Sequence, residues 1–265
     1  MKKKIKKTAS LLTVLILLVF CSVSTVFAEA QGWYSVRNKE HKQPTLDAAQ
    51  RFIENYGGYY VDKKHTENDS DKVIYLTFDA GYENGNVEKI LDVLKAQNVK
   101  GAFFILENLI LRNTELVKRM AEEGHTVCNH TLKHRDMTKV TDIAEFEAEL
   151  SSLEKLYFDM TGYEMAKYYR PPEGRYDERS LEFADKLGYK TIFWSLAYAD
   201  WDNANQPSCE KAKKILLDNI HNGAVILLHP TSATNAAIIE DLIITLRLDG
   251  YRFGTLDELV GSKDE

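Results

Sequence analysis

From Val73 to the C-terminus, short apolar runs rich in β-branched and aromatic residues alternate with segments of helical period, and this alternation leaves few folds open. Strands are predicted at Val73–Phe78, Gly101–Ile105, Thr126–Cys128, Tyr168–Tyr169, Thr191–Trp194, Ala224–Leu228 and Tyr251–Phe253. Helices are predicted at Val87–Gln97, Leu111–Glu123, Thr141–Thr161, Asp177–Leu187, Glu210–Asn219 and Asn235–Leu248, with a short one from Leu256. Gly124, Gly188 and Gly250 follow three of these helices, where the left-handed conformation that ends a helix is least strained. Repeated strand–helix units imply an α/β fold with a parallel sheet, open or closed into a barrel. About seven strands favour a distorted (β/α) barrel over a doubly wound sheet. No glycine-rich phosphate loop follows the first strand, which counts against nucleotide binding.

Two segments of different character precede this alternation. Met1–Ala28 opens with Lys2, Lys3, Lys4, Lys6 and Lys7 and continues through an apolar run, Leu11–Phe27, to the small residues Ala28 and Ala30. This is the pattern of a secretory signal peptide cleaved after Ala28 or Ala30. If retained, the same run would be a membrane anchor, giving transient membrane association. Residues 29–71 are polar and aromatic with weak periodicity, and Leu46–Tyr56 is expected to hold a short helix. We expect them to form an N-terminal extension packed on the main unit, which spans residues 72–265. The net charge is −6, and removing Met1–Ala28, with five lysines and no acid, leaves −11. That argues against nucleic acid as a partner. With Cys21 in the leader, only Cys128 and Cys209 remain, too few for a disulfide framework, and free thiols are expected. The remaining length suits a single domain with its own core, expected to be monomeric.

The residues with chemical potential are not scattered over this frame. Asp79 follows the first predicted strand, His130 the third, Arg170 the fourth, Asp200 and Trp201 the fifth, and His229 the sixth. The carboxyl ends of parallel strands form one rim, and that rim hosts the site in such folds. His130 and His134 lie one helical turn apart, on a turn or a helix start, at the spacing of two ligands to a divalent metal such as zinc. The alternative is an incidental pair. Asp79 is either a solvated turn residue or a general base for water beside that metal. Arg170 would keep Asp79 ionised, and Arg170-Pro171-Pro172-Glu173-Gly174 is stiff because each proline fixes its φ. His229 would face Asp79 across the rim with its pKa raised by Asp200, giving one base and one acid as amide hydrolysis needs. Trp201 with Leu227 or Leu228 would form a small apolar pocket of acetyl-methyl size, or else pack in the core. There is no Gly-x-Ser-x-Gly elbow and no partner for Cys128, so attack by water is favoured over covalent catalysis.

Five motifs thus occur in order: Thr77-Phe78-Asp79-Ala80-Gly81, His130-Thr131-Leu132-Lys133-His134, Arg170-Pro171-Pro172-Glu173-Gly174, Asp200-Trp201 and Leu227-Leu228-His229. Over about Lys72–Val260 the chain resembles the polysaccharide deacetylases of the NodB-homology family, carbohydrate esterase family four. Gly32-Trp33 and Gly81-Tyr82-Glu83-Asn84-Gly85 look more narrowly like the delta-lactam-biosynthetic de-N-acetylases of spore-forming bacteria, which act on muramic acid residues of spore cortex peptidoglycan. The resemblance implies a barrel with fewer than eight repeats, Asp79 as base, His229 as acid, and His130 and His134 as metal ligands. It also implies the backbone N–H of Glu173 as an oxyanion donor. The expected activity is metal-dependent removal of acetyl from N-acetylmuramic acid in peptidoglycan, in the cell wall or the spore intermembrane space. Polymers of N-acetylglucosamine, other acetylated glycans, or a glycan-binding pseudoenzyme are the other readings.

Two residues depart from the family pattern. Ala80 stands where the family carries an aspartate that ligates the metal, so the ion is held weakly, gains another group such as Asn84, or is lost. Glu173 sets an acid toward the anionic lactyl group of a muramic residue unless its side chain turns away.

Overall fold

Each strand expected from Val73 onward forms, and all seven run parallel. The computed structural model describes residues 29–261, so the leader expected at residues 1–28 lies outside them. In chain order the elements are β1 (Gln31–Gly32), β2 (Gly58–Tyr59), β3 (Lys72–Ala80), α1 (Val87–Ala96), β4 (Ala102–Ile105), α2 (Glu107–Arg112), α3 (Thr114–Glu122) and β5 (Thr126–Asn129). There follow α4 (Ile143–Thr161), β6 (Ala166–Tyr169), β7 (Arg175–Tyr176), α5 (Glu178–Lys186), β8 (Lys190–Ile192), α6 (Cys209–Asn219), β9 (Ala224–Leu228), α7 (Ala233–Leu248), β10 (Tyr251–Phe253) and α8 (Leu256–Val260). The sheet runs β10-β3-β4-β5-β6-β8-β2, with β9 also paired to β3. It curls as a half-barrel, and a bridge between Leu196 and Ile226 joins the chain after β8 to β9.

The period-2 alternation of β3 divides the core. Val73 and Tyr75 join Phe104, Cys128, Tyr168, Ile192 and Val225 in one cluster with α8. Ile74, Leu76, Phe78 and Ala80 belong to the larger cluster with α1, α3 and α7. A parallel sheet covered on both faces explains why these strands read as continuous apolar runs.

The segment before β3 is part of the sheet, which its sequence did not suggest. β2 runs parallel to β8, Val61 bridges to Ala224, and the Asp62 N–H donates to the Gly223 carbonyl at 2.9 Å. Gly223 has φ +76, and a Cβ there would lie 2.4 Å from the Asp62 carbonyl oxygen, so only glycine permits this close seam. β1 pairs antiparallel with β7. Two predicted helices differ. Leu111–Glu123 is two helices broken at Asn113 (φ −138°, ψ 47°), and Leu46–Tyr56 reduces to a 3-10 turn at Arg51–Tyr56. Among the described residues no helix is long and apolar enough to cross a membrane. Cys128 is buried and Cys209 exposed, both as free thiols.

Candidate active site

The carboxyl ends of the strands do converge, and Arg170 is the buried centre of one half of the rim. It leaves β6 and is fully buried. Its guanidinium donates from Nε to the Ile192 carbonyl (2.9 Å), from Nη1 to Asp79 Oδ1 (2.8 Å), and from Nη2 to Thr77 Oγ1 (2.9 Å) and the Phe193 carbonyl (3.3 Å). It also stacks over the Phe104 ring at 4.1 Å. This fork satisfies a buried cation in one orientation, which the lysine point charge cannot do. Burial pushes the Asp79 carboxyl up, but the charge and hydrogen bond of the Arg170 guanidinium, with His229 beyond, outweigh it and hold Asp79 below its usual range. Asp79 is therefore ionised, with Oδ1 on Arg170 and Oδ2 3.7 Å from His130 Nε2.

His130 and His134 are brought together, but not by a helix. The segment is a loop in which Thr131 (φ 70°) and His134 (φ 58°) are left-handed. The Asn129 side chain braces it by accepting from the Thr131 N–H and donating to the Leu150 carbonyl, rather than touching an imidazole. The two rings lie 5.0 Å apart, inclined at 70°. His130 Nδ1 meets the Arg170 carbonyl at 2.9 Å. A carbonyl only accepts, so Nδ1 carries the proton and Nε2 keeps its lone pair on the side of Asp79. Burial pushes His130 down to about 4 against the pull of Asp79, so the ring is neutral. A neutral ring with its tautomer fixed suits a metal ligand. Beyond these two imidazoles the donor set is thin. Among the described residues no group of three His, Cys, Asp or Glu side chains is arranged to hold an ion. Ala80 is wholly buried in the apolar cluster, and the Asn84 amide instead donates to the Thr231 carbonyl at 2.8 Å, tying two loops.

Across the rim, His229 follows β9 and Asp200 is fully buried beneath it. Asp200 Oδ1 accepts from His229 Nδ1 at 2.7 Å, and Oδ2 accepts from the His229 backbone N–H at 2.8 Å and from Asn235 Nδ2 at 2.6 Å. Burial alone would lower the His229 pKa. The hydrogen bond and charge of Asp200, with Asp79 beyond, raise it above the ordinary value. Asn235 also donates to the His229 carbonyl (3.0 Å) and accepts from the Tyr198 hydroxyl. Sequence reasoning missed Asn235 and Tyr198. The position of Asn235 three residues beyond the helix-capping Ser232 was the available signal, since it faces the strand end from the first turn of α7.

The remaining expected site residues are placed less simply. Trp201 is 63% exposed, with its ring 6.5 Å from that of His229, so it stands as an open wall rather than the lid of a small pocket. Leu227 is buried, while Leu228 belongs to the helix-side core and cannot line the rim. Glu173 is left-handed (φ 56°), and its carboxylate accepts from Arg175 Nε at 2.7 Å.

An ionised carboxylate and a cation-leaning imidazole facing one another on the rim of a parallel α/β half-barrel form the acid–base frame of a hydrolase. Residues 66–192 match the polysaccharide deacetylase family model. The chain is 38% identical over 239 residues to the peptidoglycan-N-acetylmuramic acid deacetylase PdaA of Bacillus subtilis, spanning 89% of this chain and 88% of that protein. It is 36% identical to the peptidoglycan-N-acetylglucosamine deacetylase PgdA of Listeria monocytogenes, over 73% of this chain and 40% of that one. The solved structure of Bacillus subtilis PdaA, a family 4 carbohydrate esterase, superposes with a TM-score of 0.81 at 36% identity, covering 89% of this chain and 99% of that structure. The chain belongs to the polysaccharide deacetylase family, and within it to the peptidoglycan deacetylases, hydrolases of amide bonds.

Proposed function

We propose that this chain is an exported enzyme that removes the N-acetyl group from N-acetylmuramic acid residues of peptidoglycan, on the route to muramic delta-lactam in the spore cortex. The observation that carries the hydrolytic reading is the opposition of Asp79 on Arg170 to His229 on Asp200. Asp79 takes a proton from water as it attacks the acetyl carbonyl. The backbone N–H of Glu173 donates to the oxyanion that forms. His229 protonates the amine nitrogen as the C–N bond breaks, releasing acetate. His130 and His134 would hold a divalent ion such as zinc, which when bound polarises the carbonyl and acidifies water. Two observations support muramic acid as the substrate. The relative named for N-acetylmuramic acid matches over nearly the full length of both chains. The Glu173 carboxylate is engaged by Arg175, which offsets a charge that would otherwise count against an anionic lactyl group.

Ala80 favours one second reading, a glycan-binding protein without turnover, because this fully buried methyl offers no metal donor. One experiment separates the readings. Peptidoglycan stripped of stem peptides is incubated with the protein, with and without chelator, and analysed by mass spectrometry. Loss of one acetyl group from muramic residues, abolished by chelator, is the expected result. Loss from glucosamine residues overturns the substrate. Sugar binding with no acetate release favours the second reading.

A further inference from the structure

We propose that Trp33 is a positioning residue for this site, and that Gln31–Trp33 clamps the two chain segments that frame Arg170. Its effect on turnover rests on the proposed deacetylation; the clamp rests on geometry alone. The guanidinium is held by the carbonyls of Ile192 and Phe193. The next carbonyl, that of Trp194, accepts from Trp33 Nε1 at 2.8 Å, and the Trp33 ring stacks on Phe193 at 4.3 Å and 22°. Trp33 therefore grips the strand end that orients Arg170.

The same residue grips the turn that carries Arg170. Its backbone N–H donates to the Gly174 carbonyl at 2.8 Å, and the register pairs Gln31 with Tyr176 and Gly32 with Arg175. That turn needs an external hold. Glu173 and Gly174 are consecutive left-handed residues (φ 56° and 64°), and the first is not glycine. At Gly174 a Cβ would lie 2.8 Å from the Trp194 ring and 3.0 Å from the Trp33 Cβ, so the turn is wedged between two tryptophans. The Glu173 N–H assigned to the oxyanion lies in this turn. Trp33 is buried and acts on Asp79 only through Arg170 and on the oxyanion only through the turn. Leader cleavage after Ala30 would leave Gln31, the first residue of the clamp, as the new N-terminus.

The test compares the full chain with Trp33→Phe, which keeps the backbone bond and a stacked ring but loses Nε1–H, and with Trp33→Ala. Backbone hydrogen exchange is followed together with steady-state acetate release. In Trp33→Ala, exchange at residues 174–176 is expected to rise roughly tenfold or more while α3 is unchanged. Here kcat is expected to fall roughly tenfold with KM within about twofold, because the groups are misplaced rather than the sugar lost. Trp33→Phe should fall between the two, and it decides the matter should the alanine variant not fold. Unchanged exchange at 174–176, or faster exchange with unchanged kcat, overturns the proposal. A wild-type chain that releases no acetate overturns the proposed function instead, and exchange alone then decides the clamp.

Discussion

The two halves of the rim use the same ingredients in opposite arrangement. Each is a carboxylate bonded to a cation or an incipient one. In the Asp79–Arg170 half the guanidinium is sealed in, with none of its side chain exposed, and the carboxylate looks out at 11% exposure. In the Asp200–His229 half the carboxylate is sealed in at 1%, and the imidazole looks out at 25%. The buried partner biases the charge of the outer one: Arg170 lowers the pKa of Asp79 and keeps it ionised, and Asp200 raises the pKa of His229 toward its protonated form. Which partner faces the cleft is what supports the proposed roles of Asp79 as base and His229 as acid.

The sharpest way to break this contrast is Asp79→Asn. The amide cannot take a proton from water, and loss of a general base costs on the order of 10³ in kcat. The change also leaves Arg170 buried without its counter-charge, and breaking a buried pair costs about 3 kcal/mol. Three of the guanidinium bonds, to Ile192, Phe193 and Thr77, survive, so the protein should fold with a lowered Tm. Acetate release and thermal unfolding, measured together, check both effects. Activity within tenfold of wild type would remove Asp79 from its assigned role.

The other half is tested by Asp200→Asn, whose effect is smaller and depends on pH. With its charge partner gone, His229 titrates lower and loses the proton it must donate at a lower pH. The alkaline limb of kcat/KM should therefore move to lower pH, and activity at neutral pH should fall on the order of 10²-fold. Stability carries the same sign. The folded-state pKa of His229 is raised above 6.5, so the stabilisation it brings is complete below that value and lost as pH rises through the folded pKa. In Asp200→Asn this alkaline loss of stability should disappear. An unmoved alkaline limb would show that another group supplies the proton.

The parts of both halves that could be read in the sequence sit at the ends of strands. Asp79, His130, Arg170, Asp200 and His229 each follow an apolar run whose direction the alternation dictates, so their meeting follows from topology. What could not be read depends on contacts without a period. β1 and β2 are two residues each, too short for any pattern: β2 adds to the edge strand β8 of the main sheet, and β1 and β7 form a strand pair only with each other. The four-residue spacing of His130 and His134 suggests a helical turn, whereas two left-handed residues bring the rings together in a loop. Asn235 is an unremarked polar residue in an apolar helix until Asp200 and the His229 carbonyl are seen to need its amide. Asn113 breaks a helix that hydropathy alone would continue.

The smallest expected effect lies outside both pairs, at Trp201. Its exposure of 63% means that the indole neither fills the core nor holds His229 in place; the hydrogen bonds of Asp200 and Asn235 do that. In the proposed reaction, an exposed aromatic beside His229 is placed to act on bound substrate, through stacking against a sugar or the acetyl methyl group. Trp201→Ala should leave folding stability within about 0.5 kcal/mol, as for surface changes generally. It should raise KM several-fold, on the order of the 1 kcal/mol of an aromatic contact, while kcat and the alkaline limb stay where they are. A fall in kcat with a shifted alkaline limb would place the indole in the His229 network, and the rim would then hold its acid by three side chains rather than two.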